Sequence, residues 1–176
     1  LNKRGGFLAI IGSIILVVLV SGCIGSSNIA KSNIDTKNFT FNNVSFSYPA
    51  NWDVSVSNDD TGPIIVVSED YYTQIQIMIT PTYGMSEEGV LKEKNLTIYP
   101  GWKKLLSDTL ILNNQTAYRT LFRSNDIIYL FKDMRHEEIV FVKNNNTITI
   151  LTTAPSENYN NKKQSFETIL DSIHVQ

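Results

Sequence analysis

The chain has 176 residues, 42 % apolar and 18 % charged, which bounds it to about one domain whose polarity comes from Asn, Ser and Thr more than from charge. Its formal charge is −2, and all seventeen acidic residues follow Cys23, so that 13 basic and 17 acidic side chains leave −4 once the first 22 residues are set aside. No basic stripe is visible, which argues against a nucleic-acid partner, because binding phosphates requires one.

Residues 1–22 divide into a basic start (Lys3, Arg4), an apolar run from Phe7 to Val20 and the small residues Ser21 and Gly22. That is the three-part layout of a secretory signal, and the run is shorter than the roughly 20 apolar residues a spanning helix needs. "VSGC" resembles a lipobox, which makes Cys23 the expected lipidation site and the lipid the expected link to the membrane. A retained, tilted signal-anchor is the alternative, since Gly5 to Gly22 is nearly long enough to span. An internal disulfide is excluded, as Cys23 is the only cysteine. Residues 23–37 hold the lipidated cysteine and a small, polar tether of fourteen residues, about 20 Å in mean reach. The folded domain is expected over 38–176.

Within it, "FTFNNVSFSYPANWDV" alternates apolar and polar residues at Val44, Phe46 and Tyr48 and reads as a strand closed by Pro49, with a tight turn after it. "PIIVVS" and "QIQIMIT" read as two more, the second with Ile75, Ile77 and Ile79 on one face. Ser86 as N-cap, with Glu87 and Glu88 in the first turn, predicts a short helix weakened by Gly89. "TLILNNQTAYRTLFR" is strand, Asn-rich turn, strand; "DIIYLFKD", "EEIVFVK" and "NTITILTT" are three further strands. Tyr159, Lys162, Phe166, Ile169, Leu170 and Ile173 then recur at helical spacing and predict a closing helix with a short extended tail. Strands and helices do not alternate, so the expected class is α+β, a central antiparallel β-sheet flanked by helices in a single domain.

Three stretches carry a family resemblance: "FSYPANW" at 46–52, "LNNQTAYRTLF" at 112–122, and the run from Val140 to Val175 with its hairpin, small residue and proline, and final helix. Together they resemble the PsbP-like family over about 38–176. The resemblance implies a central antiparallel sheet with helices on its faces. In photosynthetic relatives it implies an extrinsic photosystem II subunit that helps retain manganese, calcium and chloride; lipoproteins of this fold in non-photosynthetic prokaryotes, archaea included, are the nearer comparison. No ion-binding residue carries over.

Local catalytic signatures are missing. "HEEIV" begins like a zinc-protease motif, but position 140 is Val and the segment reads as strand. No G-x-S-x-G elbow or phosphate-cradling loop occurs. The densest ionisable cluster is "KDMRHEE", where Asp133, His136 and Glu138 offer oxygen and imidazole ligands suited to a divalent cation. The competing reading, and the favoured one, is a solvated charged turn between two strands. "YPGW" can present Tyr99 and Trp102 on a turn as a binding patch, or use both rings to roof the core. Of five sequons, Asn114 and Asn145 fall at expected turns and are the glycosylation candidates.

The expectation is therefore a lipid-anchored extracytoplasmic protein of the cell membrane, non-enzymatic, acting as a binding or assembly module with a protein partner at the cell surface. A divalent-metal or small-ligand-binding surface protein is the alternative, and a hydrolase the third reading. No motif identifies a cofactor beyond a divalent cation.

Overall fold

The computed structural model describes residues 34–96, 99–125, 128, 130 and 132–176, without the side chain of residue 95. The expected signal segment, Cys23 and most of the tether lie outside the described residues.

Among the described residues, ten strands and two helices follow one another: β1 (Thr36–Phe41), β2 (Val44–Pro49), β3 (Asp53–Asp59), β4 (Gly62–Ser68), β5 (Gln74–Pro81), α1 (Glu87–Leu96), β6 (Trp102–Leu112), β7 (Gln115–Ser124), β8 (Met134–Lys143), β9 (Asn146–Pro155), α2 (Tyr159–Ser172) and β10 (His174–Val175). A seven-stranded sheet runs in the order β3-β4-β5-β9-β8-β7-β6, and a three-stranded sheet in the order β1-β2-β10. Every pairing is antiparallel. The architecture is thus mostly β, with two sheets where one helix-flanked sheet was expected.

The turns fix the register of the hairpins, which slips once, between Lys104 and Leu106 of β6. β6 and β7 are joined by Asn113-Asn114 (φ 50° and 64°), and β8 and β9 by Asn144-Asn145 (φ 50° and 63°). Two left-handed residues in a row give a two-residue hairpin loop whose twist matches that of the strands, and Asn tolerates that region better than other side chains. Between β3 and β4 the Asp59 carboxylate accepts hydrogen bonds from the Thr61 and Gly62 amides and the Thr61 hydroxyl, so "DDTG" is a turn.

Alternation on the central strands sends Ile75, Ile77, Ile139, Phe141, Ile148 and Ile150 to one face, where they are almost fully buried. α2 covers this face with Tyr159, Phe166, Ile169 and Leu170 and lies against both β9 and β2, so it holds the small sheet to the large one. Removing each such side chain from water contributes roughly 1.5–3 kcal/mol. Trp52, just past Pro49, is 3 % exposed and meets Phe166 edge-on, with centroids 5.8 Å apart. β10 closes the small sheet by pairing Val175 with Val44.

Two expectations need correction. Half of "DIIYLFKD" lies outside the described residues, and the four that are described, Ile128, Leu130, Lys132 and Asp133, are not in a strand but in the connection between β7 and β8, where Leu130 has a φ of 52°. "KDMRHEE" is not a turn, since β8 begins at Met134 and carries His136 and Glu138 into the sheet.

Candidate functional site

The second face of the large sheet is covered by α1, which packs on β7 and β8. Ser86 accepts a hydrogen bond from the Gly89 amide, the N-cap foreseen for this helix, and Val90 is its buried contact. The chain then returns to the sheet through Tyr99-Pro100-Gly101-Trp102. The Trp102 amide donates to the Tyr99 carbonyl at 3.0 Å and Gly101 has a φ of 79°, so Pro and Gly occupy the two central positions that a type II turn favours.

That turn aims both rings at the sheet. Trp102 stacks on the His136 imidazole, with centroids 3.8 Å apart and planes 12° from parallel. Tyr99 lies 4.7 Å from Trp102, and both rings meet Phe122 of β7. The Tyr99 hydroxyl donates to Glu138 Oε1 at 2.6 Å. Burial pushes the Tyr99 phenol well above its usual range, and the hydrogen bond to Glu138 and its charge add to the shift, so Tyr99 holds its proton. Tyr99 and Trp102 therefore cover His136 and Glu138 in a single cluster.

His136 is fully buried, and both ring nitrogens are engaged: Nε2 with Ser124 Oγ at 2.8 Å, and Nδ1 with Thr153 Oγ1 at 3.0 Å. Register explains the trio, because Phe122 of β7 and Thr153 of β9 flank His136, and Ser124 lies two residues beyond Phe122 on the same face. A serine, a histidine and a third polar group in a row have the outline of a nucleophile, a base and an orienter. The third member here is a neutral hydroxyl, which cannot stabilise an imidazolium as a carboxylate does. Ser124 and Thr153 are 2 % and 1 % exposed, so no substrate carbonyl reaches the hydroxyl.

Asp133 goes elsewhere. Its two oxygens accept paired hydrogen bonds from Arg123 at 2.6 Å, and that guanidinium holds the carboxyl below the usual carboxylate range. Asp133, His136 and Glu138 do not converge, and no cluster of three or more His, Cys, Asp or Glu suited to a metal occurs among the described residues. Asn114 and Asn145 are exposed on their turns. Their sequons differ in one respect: Thr116 is exposed, whereas Thr147 is buried in β9.

A polar network on the opposite face escaped sequence reasoning. Asp108 takes both arms of Arg119, Arg119 also faces Glu137 at 3.6 Å, and Glu137 accepts from Tyr159, whose hydroxyl meets Thr152 at 2.8 Å. These residues come from four strands and a helix, and only the register brings them together. A solvent-open depression of about 630 Å³ lies between α1 and β7, lined by Ser86, Glu87, Glu88, Leu91, Lys92 and Tyr118.

Two sheets, an α2 that joins them and an α1 that covers the second face define a PsbP-like fold. Among solved structures, the cyanobacterial PsbP (CyanoP) of Synechocystis sp. PCC 6803 superposes with a TM-score of 0.57 at 14 % identity, over 89 % of this chain and 99 % of that one. The Ran-binding protein Mog1p of Saccharomyces cerevisiae gives 0.51 at 14 % identity, over 81 % of this chain and 96 % of that one. LpqN of Mycobacterium tuberculosis, involved in cell envelope biogenesis, gives 0.53 at 12 % identity, over 82 % and 92 %. No family model and no curated sequence matches the chain.

Proposed function

We propose that the protein is a lipid-anchored extracytoplasmic module that recognises or assembles a protein partner and performs no chemistry of its own. The observation that carries this reading is the closed state of its most reactive cluster: His136 lies between two hydroxyls under the Trp102 ring, and Glu138 is bound by Tyr99. Such a cluster acts as a support, holding the turn at 99–102 against the sheet and so setting where α1 lies. A fold that binds Ran in one organism and serves envelope biogenesis in another is in keeping with recognition of partners. The open depression beside α1, with acidic, basic, apolar and aromatic side chains on one wall, has the mixed character of a protein-contact surface more than of an enclosed small-molecule site.

The anchor rests on the basic start, the apolar run and the cysteine that follows it. Sugar attachment, where the cell supplies a transferase, falls on Asn114 in preference to Asn145, because Thr116 of the first sequon is exposed and Thr147 of the second is buried. The test is crosslinking in native membranes with mass spectrometry that also reads the N-terminal peptide. A recurrent crosslinked partner together with a lipid-modified Cys23 is expected. A free Cys23 thiol within a retained leader overturns the lipoprotein reading, and the lack of any recurrent partner overturns the assembly role.

A further inference from the structure

One rim of the large sheet gathers the start of β3, the end of β4, the start of β5, the end of β9, the start of β8, the end of β7 and the start of β6. Asp53, Ser68, Gln74, Pro155, Met134, Ser124 and Trp102 mark it in register. Two connections rise from this rim and touch: the Tyr71 hydroxyl donates to the Ile128 carbonyl at 3.2 Å. At their apex Tyr71 is 64 % exposed, Ile128 64 % and Leu130 70 %, with Tyr72 edge-on to Tyr71 and the Lys132 ammonium 3.8 Å above the Tyr72 ring. The nearby charges are largely paired within the domain, Arg123 with Asp133 and Lys162 with Glu69. What remains is an apolar and tyrosine-rich apex with a lysine on its flank.

The same rim receives the chain. Asp35 accepts from the Ala50 amide at 2.7 Å, just ahead of β3, so the polypeptide enters the domain here. The Asn113-Asn114 and Asn144-Asn145 turns and the Asp59-Thr61 turn stand at the opposite rim, where Asn and Asp dominate.

We propose that the Tyr71–Ile128–Leu130 apex is a bilayer-docking surface, seated in the headgroup and upper acyl region of the membrane that holds the anchor. The proposal rests on the anchored reading above. Aliphatic side chains, tyrosine rings and a flanking lysine are the residue types that partition into that layer, the rings because one end is apolar and the other wet, the lysine because its stem lies along apolar surface while its head reaches water. About a dozen residues separate Cys23 from Asp35, a mean reach of about 20 Å, which makes docking an intramolecular step for which weak contacts suffice. Asp70 is tied into its own turn, accepting from the Tyr72 and Thr73 amides at 2.7 Å, and the apex itself is apolar, so its docking persists at high salt. Its consequence is orientation: the Asn-rich rim with Asn114 and Asn145 points away from the bilayer, and the face bearing α1 is turned sideways to it.

The test uses the full chain in brominated-phosphatidylcholine vesicles, with tryptophan placed at either rim by Tyr71→Trp or Tyr83→Trp, both at exposed positions. Flotation with the vesicles reads the anchor. Quenching beyond that of the parent chain, whose Trp52 and Trp102 set the background, several-fold stronger at position 71 than at 83, and abolished by adding Ile128→Ser and Leu130→Ser to the Tyr71→Trp chain, is the expected result. Flotation with equal quenching at both positions overturns the docking surface alone, whereas loss of flotation overturns the anchor and the docking together.

Discussion

Gly62 shows how narrow the choice of residue becomes where strands meet. Its φ is 142°, and a Cβ there would stand 2.2 Å from the Ile79 carbonyl oxygen, a backbone atom that cannot swing aside. Gly62→Ala is expected to cost about 1–3 kcal/mol, read as a lower denaturant midpoint. His136→Ala combines a cavity with two orphaned hydroxyls, Ser124 and Thr153, and is expected to cost roughly 2–5 kcal/mol in the same assay. The tyrosines make a different prediction. Tyr99 and Tyr159 both have phenol pKa values raised above 10.0, chiefly by burial, with Glu138 and Glu137 as their respective charged neighbours. A raised value means the folded state holds the proton more tightly, so this stability is full below pH 10.0 and drains as pH rises from there through the folded value. Tyr159→Phe should therefore unfold with a shallower alkaline limb than the parent in pH-dependent melting. On the acid side Asp108 and Asp133 lie below 3.8 because of the hydrogen bonds from Arg119 and Arg123; their contribution is present above that value and is lost as pH falls below it.

At the scale of elements, the hairpins and the closing helix were the most legible parts. Paired asparagines between alternating runs announced the two turns, and the 3.6-residue recurrence from Tyr159 to Ile173 announced α2. The β1–β2 hairpin was harder to see, because "FTF" and "VSF" are only partly apolar and β1 is largely exposed. β8 was misread at its start because charged residues are the usual mark of a turn, while here Arg135 lies over the Tyr159 ring and Glu137 accepts from its hydroxyl. The turn chemistry is itself testable. Asn145→Ala places a Cβ without a compensating polar side chain at a φ of 63°, and is expected to cost about 1–2 kcal/mol, whereas Asn145→Gly should be neutral or stabilising by thermal melting.

For the whole molecule, the two sheets depend on α2 and on the few residues that follow it. Ile173 and Val175 are 3 % and 7 % exposed, the Ile173 carbonyl accepts from Asn113, and the Gln176 amide donates to Asn43. A chain ending at Ser172 gives up two buried aliphatic side chains and the β10 pairing, and is expected to lose roughly 3–6 kcal/mol, seen as a loss of cooperativity or outright unfolding in a urea titration. Because the small sheet carries β1, the same truncation should raise protease sensitivity near Thr36.

The sequence by itself determined the antiparallel, PsbP-like character of the domain, the positions of its best hairpins and the face of its last helix, since these are written in local periodicity, turn residues and composition. Only the tertiary structure decided that His136 and Glu138 meet Tyr99 and Trp102 while Asp133 turns to Arg123, and that Tyr71 and Ile128 share one rim with the entry of the chain. Those facts depend on strand order and register, and register is set by the combined packing of seven strands and two helices, which no single stretch of the chain encodes.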